Sequence, residues 1–178
     1  CHQLGSALAS IDIGDGDTVA VLLPNTPPML EAHYGVALAG AVLNSINTRL
    51  DPAAIAFILE HSQSRVFIVD REYAPLATEA LTLLQKKGLD LPVIIDALDP
   101  VYVAECQAAG TTPNQPLSEL DYDTFVATGK ADFAGVRPAD EFDAIGLNYT
   151  SGTTGDPKGV VVHHRGAYLN AVGNVLSW

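Results

Sequence analysis

The chain has 178 residues, 48% of them hydrophobic, and 21 acidic against 9 basic side chains give a formal net charge of −12. That length and apolar content suit one packed globular domain and exclude a disordered chain, while the acidic balance excludes a general nucleic-acid or anionic-membrane surface. Cys1 and Cys106 are the only cysteines, so there is no disulfide framework and a reduced, cytoplasmic setting is the default.

No apolar run approaches the ~20 residues of a membrane span, and no signal peptide is visible. The chain starts Cys1-His2-Gln3-Leu4, without an initiator Met, and Leu4, Ala7, Leu8 and Ile11 keep helical spacing. Thr18 to Leu23 is an apolar run that suits a strand buried on both faces. Thr26 resembles an N-cap with Pro27 at the first helical position, and the helix is expected to run through Leu30, Tyr34 and Leu38 to about Gly40. Ala41 to Ile46 reads as a second strand. Asp51-Pro52 repeats the cap-plus-proline start, with Ile55, Ile58 and Leu59 as the helical stripe. Arg65 to Asp70 is the clearest strand. Pro75 to Lys87 reads as a helix stopped by Gly88, and Pro92 to Asp96 as another strand.

This alternation predicts an α/β fold with a largely parallel sheet and flanking helices. Residues 97–140 break the rhythm. They are acidic, with a surface loop at Gly110 to Pro116 and a short helix at Tyr122 to Thr128, and they read as an elaborated connection rather than a linker between domains. The rhythm resumes with a strand at Ala144 to Tyr149, whose Ile145, Leu147 and Tyr149 share a face. A second short strand is expected at Gly159 to Val162. A helix follows from His164, with Leu169, Val172 and Leu176 on one stripe. That helix looks unfinished at Trp178, so both ends are expected to be cuts from a longer chain.

Between the last two strands lies Thr150-Ser151-Gly152-Thr153-Thr154-Gly155-Asp156-Pro157-Lys158-Gly159. Glycines let backbone N–H groups approach an anion closely, and successive N–H groups form a nest. The hydroxyls of Thr150, Ser151, Thr153 and Thr154 can donate to phosphate oxygens, and Lys158 supplies a mobile point charge. A Gly/Ser/Thr-rich stretch on its own is often a plain surface turn. Here the ordered combination between two apolar strands argues for a polyphosphate cradle. The Walker A pattern needs Gly-Lys-Ser/Thr, whereas Pro157 precedes the lysine and Gly159 follows it, so a P-loop NTPase is disfavoured. A strand on each side of the loop predicts a hairpin, unlike a Rossmann turn, whose glycines open a helix.

The run Thr150 to Gly159 resembles the signature loop of the AMP-forming adenylating superfamily, which holds acyl-CoA synthetases, peptide-synthetase adenylation domains and luciferases. Val19 to Asn25, Ala39 to Asn44 and Arg65 to Asp70 resemble its N-terminal subdomain in order and spacing. Asn148-Tyr149 and His163 to Asn170 look most like acyl-CoA synthetases of short- and medium-chain acids. The resemblance implies an incomplete acyl-adenylate-forming fold spanning residues 1–178: βα repeats over 1–96, the connection over 97–140, and strand, phosphate loop, strand and helix over 141–178. It implies ATP, Mg²⁺ and CoA as the groups used and a small carboxylic acid as substrate. The cradle would be Thr150, Ser151, Gly152, Thr153, Thr154 and Gly155, with Lys158 as its catalytic charge and Asp156 turned to solvent. The family's Mg²⁺ carboxylate, ribose-binding aspartate, acyl pocket and C-terminal lysine would lie beyond Trp178, so residues 1–178 alone are not expected to catalyse adenylation. Two alternatives stand beside the synthetase reading: an adenylation domain serving a carrier-protein thiol, and a non-catalytic nucleotide-binding module.

Other residues invite chemistry less strongly. His163 and His164 have no Cys or carboxylate at metal-ligand spacing, which favours a structural or helix-start role. Arg49 could reach phosphate or CoA, but a partly exposed structural arginine is the plainer reading. Cys106 has no nearby His to activate it as a nucleophile. Asp121, Asp123, Asp140, Glu141 and Asp143 read as a solvated loop face rather than a cation site.

Overall fold

The computed structural model describes residues 1–150 and 157–177. Its elements follow the chain as α1 (His2–Ser10), β1 (Thr18–Leu22), α2 (Pro27–Leu38), β2 (Val42–Ser45), α3 (Pro52–His61), β3 (Val66–Asp70), a 3₁₀ turn (Arg71–Tyr73) and α4 (Ala74–Lys86). Then come β4 (Val93–Ala97), α5 (Pro100–Ala108), α6 (Tyr122–Ala127), β5 (Ala144–Thr150), β6 (Lys158–His163) and α7 (His164–Ser177).

The strands form one sheet in the order β4-β3-β1-β2-β5-β6. Every neighbouring pair is parallel except β5 and β6, which run antiparallel. β1 sits inside the sheet with all five residues buried, as a continuous apolar run should when both faces are roofed. One face packs Val19, Val21 and Leu43 against Leu4 and Leu8 of α1, Val36 of α2, and Tyr122 and Phe125 of α6. The other packs Ala20, Leu22, Phe67 and Val69 against Ile55, Ile58 and Leu59 of α3 and Ala77, Leu81 and Leu84 of α4.

Helix starts follow local chemistry. Asp51, Asp99 and Asp121 each accept a backbone N–H of the first turn, at 2.9–3.0 Å. Gly88, at φ +72°, ends α4 in the left-handed conformation that glycine adopts without strain. Thr26 corrects the expected pattern. It precedes α2, yet its hydroxyl turns back and donates to Pro24 O at 3.3 Å, so no side chain caps α2. The inward face of α2 is made by Ala32, Gly35 and Val36, whereas Leu30 and Tyr34 are 62% and 60% exposed.

Residues 97–140 fold back onto the domain. Leu117 N donates to Asp96 Oδ1, Ser118 Oγ donates to Ile94 O, and Asp96 N donates to Leu120 O, so this stretch lines the open edge of β4. Tyr122 O–H then donates to Glu31 of α2 at 2.7 Å, which ties α6 to the helix layer. Burial and that carboxylate together push the Tyr122 phenol above its ordinary range.

Candidate functional site

β5 and β6 form the hairpin that the glycine-rich run predicted. Their register pairs Gly146 with Val162, Leu147 with Val161, Asn148 with Val160, Tyr149 with Gly159 and Thr150 with Lys158. The last pair brings the two stems of the candidate cradle together, and Thr150 Oγ1 donates to Lys158 O at 3.5 Å. Thr150 and Lys158 are both exposed, and among the described residues no carboxylate pairs with Lys158. Ser151, Gly152, Thr153, Thr154, Gly155 and Asp156 lie outside the described residues.

The hairpin's place in the sheet adds to this. β5 is parallel to β2, and β2 to β1, so Thr150 leaves the sheet at the same edge as Ser45 and Leu22. After β1 the chain turns to α2 on one face. After β2 it turns to α3 on the other. Open α/β sheets hold their ligands outside the carboxyl ends of their strands, and that is the edge at which Thr150 leaves. The segment 46–51, which carries exposed Arg49, borders the same edge.

The whole of this arrangement falls within one recognised family: the description "AMP-binding enzyme" matches residues 1–177. The chain belongs to the AMP-binding enzyme family. It is similar to an acetate/butyrate–CoA ligase, peroxisomal, of Arabidopsis thaliana, at 45% identity over all of this chain and 31% of that protein. It is also similar to a peroxisomal benzoate–CoA ligase of Arabidopsis thaliana, at 43% identity over all of this chain and 30% of that one. Its fold is that of an anthranilate CoA ligase crystallised with anthranoyl-AMP, with a TM-score of 0.78 and 24% identity over 96% of this chain and 29% of that chain. The chain thus spans about a third of the length of these relatives.

The remaining candidates in this AMP-binding chain resolve into structure. His163 Nδ1 accepts the Gly166 backbone N–H at 2.9 Å, which starts α7, and its ring lies 5.2 Å from that of Phe142. His164 begins α7 itself. The acidic residues do not converge: Asp121 caps α6, Glu141 pairs with Arg165 at 2.6 Å, and Asp140 and Asp143 hold one turn. Among the described residues no group of three or more His, Cys, Asp or Glu is placed to hold a metal ion. Cys106 is buried in α5. No helix among the described residues is long and apolar enough to cross a membrane.

One contact escaped the sequence reading altogether. His61, the last residue of α3, stands 2.7 Å through Nδ1 from the Tyr149 hydroxyl, and the two rings meet edge to face at 5.7 Å. The partners are 88 residues apart, and no local pattern in either segment announces the pair.

Proposed function

We propose that the chain is the N-terminal part of an AMP-forming acyl-CoA synthetase that activates a small carboxylic acid. The observation that carries this reading is the hairpin at the carboxyl edge of the sheet, with Thr150 and exposed Lys158 at the two stems of the signature loop. The names of the relatives, which act on acetate, butyrate and benzoate, support a short or aromatic acid as the substrate.

In the first half-reaction a carboxylate oxygen of the acid attacks the α-phosphorus of ATP. The bond from that phosphorus to the bridging oxygen breaks, giving acyl-AMP and pyrophosphate. In the second, the CoA thiolate attacks the acyl carbonyl and AMP departs with the bonding pair, leaving a thioester. An anion must approach a polyanion in the first step, so charge neutralisation at the phosphates dominates its barrier. Lys158 and the hydroxyl of Thr150, with Ser151, Gly152, Thr153, Thr154 and Gly155, would grip the β- and γ-phosphates and steady the leaving pyrophosphate. Mg²⁺ belongs to the proposal only as a companion of the nucleotide. The described residues offer no cluster that fits it.

We read residues 1–178 as one partial domain, divided into the βα repeats of 1–96, the connection of 97–140 and the loop-bearing segment of 141–178. For location we keep a reduced compartment. The cytoplasm is the default that two free cysteines give, and the relatives named peroxisomal point to the alternative. A fluorescent fusion of the full-length protein separates the two.

The test of function is ATP–pyrophosphate exchange and CoA-dependent thioester formation by the full-length protein, with acetate, butyrate and benzoate offered in turn. Exchange with at least one acid, lost in Lys158→Ala, is expected. Exchange without thioester formation would favour an adenylation domain serving another thiol. Tight ATP binding with no exchange would favour a non-catalytic module.

A further inference from the structure

We propose that His61, Tyr149 and Gly159 form a clamp that positions the phosphate loop, an inference that rests on the nucleotide reading above. The registered pairing of β5 with β2 lies at Leu43 and Gly146, toward the start of β5. In that register β2 ends at Ser45, opposite Asn148, so Tyr149 and Thr150 run on with β6 alone as their strand partner, and Asn148 and Thr150 are exposed. The loop is thus carried at the end of a hairpin that projects beyond its anchorage.

Tyr149 is the residue that ties this projecting end down. It immediately precedes Thr150, and its ring packs on the cluster built by α3 and α4. Its hydroxyl meets His61 Nδ1 at 2.7 Å. His61 is held in turn by its position at the end of α3 and by Phe57 one turn earlier, whose ring stacks on the imidazole at 5.3 Å and 21°. The helix beneath them is anchored by buried Ile55, Ile58 and Leu59 and by the Asp51 cap. The chain of contacts therefore runs from the core, through α3, to the base of the loop.

Across the hairpin the same ring lies against Gly159. A Cβ there would come within 3.4 Å of Tyr149 Cζ and 3.5 Å of Cε1, and within 3.1 Å of Leu147 Cδ1. A side chain at 159 would press on the ring that reaches His61, so the glycine after Lys158 serves the clamp as well as the loop. Burial raises the Tyr149 phenol above its ordinary pKa, so at neutral pH the hydroxyl keeps its proton and can donate to the imidazole. None of the three residues touches a reacting atom in this scheme. They act through Thr150 and Lys158, and His61 and Tyr149 are positioning residues.

The test uses the full-length protein and four variants: Tyr149→Phe, His61→Ala, His61→Gln and the double variant Tyr149→Phe/His61→Ala. Readouts are the KM for ATP, the KM for the carboxylic acid, kcat, and the unfolding midpoint. Tyr149→Phe and His61→Ala are each expected to raise the KM for ATP by about three- to tenfold, the factor one neutral hydrogen bond supplies. The KM for the acid should stay put. His61→Gln, which keeps a polar group in reach, should recover most of the ATP affinity. The double variant should be no worse than the poorer single one, because both remove the same contact. An unchanged KM for ATP in both single variants, an equal loss toward ATP and acid, additive losses in the double variant, or no recovery by His61→Gln would each overturn the clamp. A wild-type protein that neither binds ATP nor exchanges pyrophosphate would instead overturn the functional reading, and the clamp with it.

Discussion

Arg71 Nε donates to Asp96 Oδ2 at 2.6 Å, and the carboxylate that receives it is 1% exposed. The other oxygen of Asp96 accepts the Leu117 N–H at 3.0 Å. One buried acid thus joins the end of β4, the turn after β3 and the returning connection. Removing it leaves a guanidinium and an amide without their partner. Asp96→Ala is expected to cost about 3 kcal/mol, read as a lower unfolding midpoint in denaturant. A change within about 0.5 kcal/mol, the size of an ordinary surface substitution, would sink the idea.

Asp70 gives the protein a pH dependence with a definite sign. Burial is the largest influence on it and raises its pKa above the ordinary 3.8, against the opposing effect of the Glu72 N–H. The folded state therefore holds this proton more firmly than the unfolded chain. The stabilisation is fully present below pH 3.8 and is lost as pH rises through the folded value. The stability difference between the wild type and Asp70→Asn should shift against the wild type as pH climbs from 3.8 through that value. Denaturant titrations at successive pH values check this, and parallel curves would refute it.

Two residues with the same apparent role should respond differently to truncation. Asp51 Oδ1 accepts the Ala54 N–H at 2.9 Å, whereas the Thr26 hydroxyl donates backward to Pro24 O at 3.3 Å. Asp51→Ala is expected to cost about 1 kcal/mol, the usual value of an N-cap. Thr26→Ala should cost less than half as much. Equal losses in thermal unfolding would mean that Thr26 caps α2 after all.

That contrast shows how far the sequence was legible. Alternating apolar runs and cap-plus-proline starts set out the strands, most of the helices and the hairpin, because each depends on neighbours within a few residues; α5 was missed, in the stretch read as an elaborated connection. α2 itself was read in place, but not its inward side, because the helix is apolar around much of its circumference and that side is decided by α1 and β1. The Asp96–Arg71 pair escaped because the connection had to fold back before its amide could be counted. The site divided in the same way. Lys158 and Thr150 were marked by composition and spacing, while His61 and Tyr149 meet only through the tertiary fold.

Asn44 offers a test of polar burial. It is fully buried on β2, and among the described residues neither its amide nitrogen nor its amide oxygen has a hydrogen-bond partner. An unpaired amide in that setting costs about 1–3 kcal/mol. Asn44→Val, a strand-favouring residue of smaller polarity, is expected to raise the unfolding midpoint. A clear fall would point instead to a partner for Asn44 in the rest of the full-length protein.

β1 lies between two helix layers, and each of its five residues is buried. Thr18 to Leu22 therefore form a stretch with no position free to drift. A substitution on either side must satisfy a different set of helices, and a shift of one residue exchanges the two sets. In a saturation library of the full-length protein, each position of this strand should tolerate few alternatives, and a strand as permissive as a surface turn would count against this packing.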